Sequence, residues 1–233
     1  FAFPGVQSWH PNPEPWFIEG GGPILDMGPY YYTMLVNLLG PAKSIKAISS
    51  TVSEFRKIGE GSKKGLDFKV EIPTSYYIVI EFQNDAMIQG FLSFDVINHK
   101  SNFIDLYGTK GTIIGPDPNM FGGPISVSLS EDGVWKEYST EEMKLGKTNI
   151  FNKSGRSNEA PTNANYRGVG LSEMMYSIEH NLEHRCSGDL VLHVLDMLDT
   201  TIKSAEQSKT LLLRTSCNKI KPFTEKDIDF ITK

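Results

Sequence analysis

Residues 74–82 and 86–96 are two apolar runs joined by Gln83-Asn84-Asp85, and this pairing restricts the fold more than any other stretch. β-Branched and aromatic residues at this density favour extended chain, and a three-residue link calls for an antiparallel hairpin. Successive strand side chains point to opposite faces. Tyr76, Ile78, Ile80 and Phe82 therefore share one face while Tyr77 and Val79 share the other; in the second strand Ile88, Leu92 and Phe94 oppose Met87 and Phe91. Both faces are apolar, whereas a sheet with one wet face alternates with polar residues, so each face requires a cover. Helices supply one cover. The other is either a second copy of the chain or the polar segment 141–163.

The remaining elements follow from local pattern. Residues 43–55, 103–107, 111–114, 125–129 and 134–138 read as further strands, with a tight turn at Gly108-Thr109-Lys110. The segment from Gly59 to Gly65 reads as a mobile hairpin loop, and 141–163, polar and without apolar periodicity, as a long loop or lid. Two helices, 170–182 and 187–207, close the fold. In the second, Leu190, Val191, Val194, Leu195, Leu198 and Ile202 form the expected buried stripe, leaving Asp189, His193, Asp196 and Lys203 off its centre. His193 is then expected to pair at the surface with Asp189 or Asp196, or to meet another domain. The expected class is α+β: a largely antiparallel open sheet with helices on one face.

Composition narrows the chemistry. The 233 residues, 39% hydrophobic, suffice for one sizeable core or a core with a satellite lobe. A net charge of −5 provides no basic footprint for nucleic acid, and no apolar run reaches membrane-spanning length. The first nine residues lack the basic-then-apolar order of a signal peptide. Cys186 and Cys217 lie outside any Cys-x-x-Cys setting and are read as free thiols in a reducing, cytoplasmic setting. His10, His99, His180, His184 and His193 have no zinc-ligand spacing, so no metal site is expected.

The run Gly20-Gly21-Gly22-Pro23-Ile24-Leu25-Asp26-Met27-Gly28-Pro29-Tyr30 is where chemistry concentrates. Pro23 suits a first helical turn, the apolar period continues to about Leu39, and Gly40-Pro41 stops the helix. Asp26 and Tyr30, four apart, project from one face near the helix N-terminus, an arrangement suited to proton transfer with a bound hydroxyl. An Asp in an early turn also complements the helix dipole, and a Tyr on an amphipathic helix is commonly core. Three glycines favour the first reading, because they contribute no packing unless a ligand or another backbone approaches closely. Upstream, Trp9 and His10 either stack on and hydrogen-bond a sugar ring or pack within a Pro-rich loop. Tyr166 and Arg167, after the long loop, belong either to a substrate rim or, for Arg167, to a structural ion pair.

With Ser8-Trp9-His10-Pro11-Asn12-Pro13, Leu106-Tyr107-Gly108-Thr109-Lys110-Gly111-Thr112, Pro116-Asp117-Pro118-Asn119, Asn165-Tyr166-Arg167-Gly168-Val169-Gly170, and Ser187-Gly188-Asp189-Leu190 leading to His193-Val194-Leu195, the glycine-rich run resembles the glucose-fructose oxidoreductase/inositol dehydrogenase/MocA family along the whole chain. The resemblance implies the family's C-terminal domain, related to that of glyceraldehyde-3-phosphate dehydrogenase. It also implies NAD or NADP as cofactor, a polyol or sugar substrate, and a homodimer formed by sheet packing against sheet. Tyr30 would be the acid/base and Asp26 would orient the substrate hydroxyl. Gly20, Gly21 and Gly22 would lie close to cofactor or substrate, with Trp9, His10, Tyr166 and Arg167 around the substrate. Many members have His where this chain has Tyr30; the branch resembling dimeric dihydrodiol dehydrogenase has Tyr. The family's Rossmann domain and Glu-Lys-Pro motif have no counterpart in the sequence. Residues 1–233 are therefore expected to be a substrate-binding and dimerisation domain whose N-terminal dinucleotide-binding domain is missing, inactive by itself. The alternative is a sugar-binding or assembly module that kept the fold without the chemistry.

Overall fold

The computed structural model describes residues 1–151, 162–164 and 166–231. In chain order, 3₁₀ turns at Val6–Ser8 and Glu14–Phe17 precede helix α1 (Gly22–Leu39) and strands β1 (Ala42–Ser50), β2 (Phe55–Lys57), β3 (Asp67–Lys69), β4 (Ser75–Phe82) and β5 (Met87–Ser93). Next come β6 (Ile104–Gly108), β7 (Gly111–Gly115), β8 (Ile125–Leu129), β9 (Trp135–Tyr138), β10 (Ile150–Phe151) and β11 (Thr162–Asn163). Helices α2 (Val169–Glu179) and α3 (Gly188–Gln207), strand β12 (Leu211–Leu212) and helix α4 (Glu225–Ile231) follow. Two compact units result, one from Phe1–His99 with Ser187–Lys221, the other from Lys100–Cys186 with Pro222–Lys233. The antiparallel α+β class holds.

In the first unit four antiparallel strands run in the order β12-β1-β4-β5. The hairpin around Gln83-Asn84-Asp85 is β4–β5, with Tyr77 opposite Phe91 on one side and Ile48 on the other. Ile78, Ile80, Phe82 and Leu92 lie on the buried face against α1 and α3. Each such side chain contributes about 1.5–3 kcal/mol by leaving water. The opposite face keeps Ile48, Tyr77, Val79 and Met87 exposed.

Residues 43–55 are not one strand. β1 ends where its partner does, at the pair Ser50↔Ser75, and β-favouring residues beyond it re-pair as β2 with β3. The Gly59–Gly65 stretch links that small hairpin, with Gly61 and Gly65 at positive φ.

Helix α1 begins with Gly22 at φ +91, has Pro23 in its first turn, and stops at Gly40, whose N–H donates to the Val36 carbonyl at 2.8 Å. Ile24, Gly28, Tyr32 and Val36 form its buried stripe at helical spacing. Gly28 permits close approach of α3: a Cβ there would stand 2.5 Å from Leu198 Cδ2.

Helix α3 is rotated from the expected stripe. Val191 and Leu195 are exposed, whereas His193 and Asp196 are buried. The His193 ring meets backbone and side-chain partners that sequence spacing does not announce: Nε2 accepts the Ala42 N–H at 2.9 Å, so Nδ1 carries the proton and donates to Thr215 Oγ1 at 3.0 Å. Thr215 Oγ1 in turn donates to Asp196 Oδ2 at 3.0 Å. Asp196 also accepts from the Arg214 backbone, Nε and Nη2. His193 is a hydrogen-bonded core residue and not half of a surface pair.

The second unit holds an antiparallel meander, β6-β7-β8-β9, with Gly108↔Gly111 closing its first turn. Within the stretch expected to be a loop, β10 pairs with β11; residues 152–161 lie outside the described residues. Helix α2 ends three residues earlier than expected, at Glu179, with Asn181 at φ +53. It buries Glu173 and Ser177 while Leu171, Met175 and Ile178 stay exposed. Glu173 accepts from the Arg185 backbone N–H and guanidinium, and that guanidinium also reaches Asp227. A polar interior on α2 thus follows from one paired carboxylate.

Candidate functional site

The site grows from the turn before α1. The 3₁₀ turn Val6–Ser8 delivers Trp9 and His10, the 3₁₀ turn Glu14–Phe17 delivers Trp16, and α1 delivers Asp26 one turn before Tyr30. The rings of Trp9 and His10 stand edge to face with centroids 5.5 Å apart, and His10 and Trp16 centroids are 4.7 Å apart. His10 Nδ1 accepts the Asn12 N–H at 3.1 Å, so the neutral ring keeps its proton on Nε2, where it can be donated to a ligand. Trp16 Nε1 donates to Asp26 Oδ1 at 3.2 Å. Trp9, His10, Trp16 and Asp26 form one connected row.

Burial pushes the Asp26 carboxyl above the ordinary aspartate value, and the Trp16 hydrogen bond only partly opposes it. Asp26 is half-buried, while the Tyr30 ring is 44% exposed and open to a partner. A carboxyl poised nearer neutrality beside an exposed phenol can share proton transfer with a hydroxyl, and the Trp9 face, also exposed, can stack on a ring. Glu14, at the edge of this region, is engaged with Lys63 at 3.0 Å.

The glycines divide in purpose. A Cβ on Gly21 would stand 2.7 Å from the Pro15 carbonyl oxygen and the Trp16 backbone, and one on Gly22 would stand 2.8 Å from Ile72 Cδ1. Those two serve packing within the chain. Gly20, at φ +88, has nothing within 4 Å of such a Cβ and leaves room for an external group. Tyr166 and Arg167 belong to the second unit, where the Tyr166 hydroxyl donates to the Lys147 carbonyl at 2.8 Å and its ring meets Phe121. Trp16 was not singled out by sequence; ten residues separate it from Asp26, and no periodicity links a 3₁₀ turn to a helix. Cys186 and Cys217 are free thiols. Among the described residues no group of three metal-ligating side chains gathers, and no helix is long and apolar enough to cross a membrane.

Residues 4–114 match the model of the GFO/IDH/MocA C-terminal domain. Curated proteins yield no significant sequence match. Solved structures share the fold. Levoglucosan dehydrogenase in complex with NADH and levoglucosan is similar at TM-score 0.62 and 17% identity, over 91% of this chain and 56% of that one. An NAD binding oxidoreductase from Klebsiella pneumoniae is similar at TM-score 0.65 and 13% identity, over 93% and 58%. Aldose-aldose oxidoreductase from Caulobacter crescentus, complexed with glycerol, is similar at TM-score 0.60 and 16% identity, over 91% and 53%. The chain spans little more than half the length of these proteins.

Proposed function

We propose that this chain, whose residues 4–114 match the model of the GFO/IDH/MocA C-terminal domain, is the substrate-binding and assembly domain of a nicotinamide-dependent oxidoreductase of that family acting on a sugar, cyclitol or related diol. The observation that carries this reading is the Trp9, His10, Trp16 and Asp26 row leading to the exposed Tyr30. Similar structures in complex with NADH and levoglucosan, or with glycerol, support a nicotinamide cofactor and a polyhydroxylated substrate.

Of the cofactor's surroundings, this chain supplies the open backbone position at Gly20, with Gly21 and Gly22 shaping the turn behind it. NAD or NADP would be gripped mainly by a dinucleotide-binding domain in the complete enzyme. When bound, the nicotinamide supplies or accepts the hydride. The chain's own side chains handle the rest. Trp9 stacks on the substrate ring, His10 donates Nε2–H to a hydroxyl, Asp26 orients the reacting hydroxyl through its carboxylate, and Tyr30 exchanges that hydroxyl's proton. A phenol ionises near pH 10 in water, so a base of this kind requires a cation brought close by the complete enzyme. Tyr166 and Arg167 are proposed to contribute to the substrate rim.

The raised Asp26 carboxyl favours a second reading in which Asp26 itself exchanges the proton. Turnover of the complete enzyme distinguishes them. Tyr30→Phe keeps the ring but removes its hydroxyl, and turnover is expected to fall by about 10²–10⁴ with cofactor affinity unchanged. Near-normal turnover in Tyr30→Phe, with turnover abolished in Asp26→Asn, would transfer the role to Asp26. Near-normal turnover in both would leave a sugar-binding module without proton chemistry in this chain.

The exposed sheet face supports a homodimer. Ile48, Tyr77 and Phe91 lie in register across three strands, with Tyr77 and Phe91 ring centroids 4.6 Å apart. A second copy would bury this apolar row.

A further inference from the structure

We infer that Trp16 is a positioning residue, holding Asp26 and His10 in mutual register through opposite uses of one indole. The inference rests on the Asp26 chemistry proposed above. The indole N–H holds Oδ1 of Asp26 at 3.2 Å, leaving Oδ2 for a substrate hydroxyl, while the ring system lies against His10 with centroids 4.7 Å apart. The backbone that carries the indole is held as well: the Trp16 backbone N–H donates to the Pro13 carbonyl at 3.0 Å, and Gly21 admits the Trp16 backbone at a distance no larger residue allows. Its half-buried ring also packs against the Val6, Phe17 and Phe94 cluster. A side chain fixed on three sides has little rotamer freedom left to lose when substrate binds, which is what preorganisation of a carboxylate requires.

Among the described residues Trp16 is the one side chain bonded to Asp26. Of the other titratable groups of the same region, Glu14 pairs with Lys63 and His10 Nδ1 takes the Asn12 N–H, while Tyr30 stands exposed one turn further along α1. A change in Asp26 behaviour on altering Trp16 therefore reports the indole bond and not a rearranged ion pair.

The test begins with the chain as it stands, following the Asp26 carboxyl carbon and the Trp16 indole N–H by NMR across pH. In the parent protein both resonances are expected to move with one midpoint, and the indole response should vanish in Asp26→Asn. Trp16→Phe keeps an aromatic ring beside His10 and removes the donor; the Asp26 midpoint should move upward, because a hydrogen bond to the ionised form is lost. In the complete enzyme Trp16→Phe should lower kcat by roughly 10- to 100-fold with KM changed much less, and the Asp26-dependent limb of the pH profile should move upward with the NMR midpoint. An indole resonance in the parent that ignores Asp26 ionisation overturns the inference without any variant. So does a folded Trp16→Phe with unchanged midpoint and unchanged kcat. Asp26→Asn separates this failure from failure of the proposed function: if it retains full turnover, the Asp26 chemistry falls and Trp16 has nothing to position. If it abolishes turnover while Trp16→Phe does not lower it, only the positioning role falls.

Discussion

At Asp26 the chemistry proposed above and the stability of the fold pull in opposite directions on a single carboxyl. Burial raises its folded-state pKa above the unfolded value, so its contribution to stability is fully present below the ordinary value of about 4 and is lost as pH rises through the folded value. Asp26→Asn keeps an acceptor for the Trp16 N–H and removes the buried charge. It should unfold at higher temperature than the parent at pH 7, with the difference closing near pH 4, as thermal melts at the two pH values would register. His193 carries the opposite sign. Burial lowers its pKa, with Asp196 only partly compensating, so its contribution is fully present above the ordinary value of about 6.5 and is lost as pH falls from there through the lower folded value. His193→Phe should remove that acid limb in urea titrations and cost about 1–3 kcal/mol, because the Ala42 N–H loses its acceptor inside the core.

Among the elements, the turn from Glu14 to Gly22 sets the site's geometry, since it places Trp16 over α1. Gly21→Ala forces a Cβ against immobile backbone at Pro15 and Trp16, and overpacking of this sort costs about 1–3 kcal/mol. The variant should unfold at lower denaturant concentration and lose the shared Trp16 and Asp26 titration. What sequence conveys about the elements depends on whether their partners are local. The β4–β5 hairpin and the start and stop of α1 are legible because period-two alternation, Pro23 and Gly40 act within a few residues. The end of β1 is not, because residues beyond Ser50 still favour strand and only the loss of pairing beyond Ser75 stops it. The rotation of α3 was hidden because His193 and Asp196 look like surface residues until Ala42, Thr215 and Arg214, distant in sequence, satisfy them. The same holds at the site: Asp26 and Tyr30 are legible from helical spacing, while Trp16 requires the fold.

For the whole molecule, the row of exposed Ile48 and Tyr77 with half-buried Phe91 and the division of labour with a dinucleotide-binding domain are the two large-scale expectations. Tyr77→Lys places a charge in the middle of the proposed sheet-to-sheet contact, and sedimentation should show the parent as a dimer and the variant as a monomer with the same melting behaviour. The central claim is that this chain carries substrate chemistry while the grip on the cofactor lies elsewhere in the enzyme. Calorimetric titration of the isolated chain with NAD and with NADP measures that directly: no saturable heat up to about millimolar cofactor, the weak end of ordinary affinities, is the predicted result, and micromolar binding of either dinucleotide would contradict it.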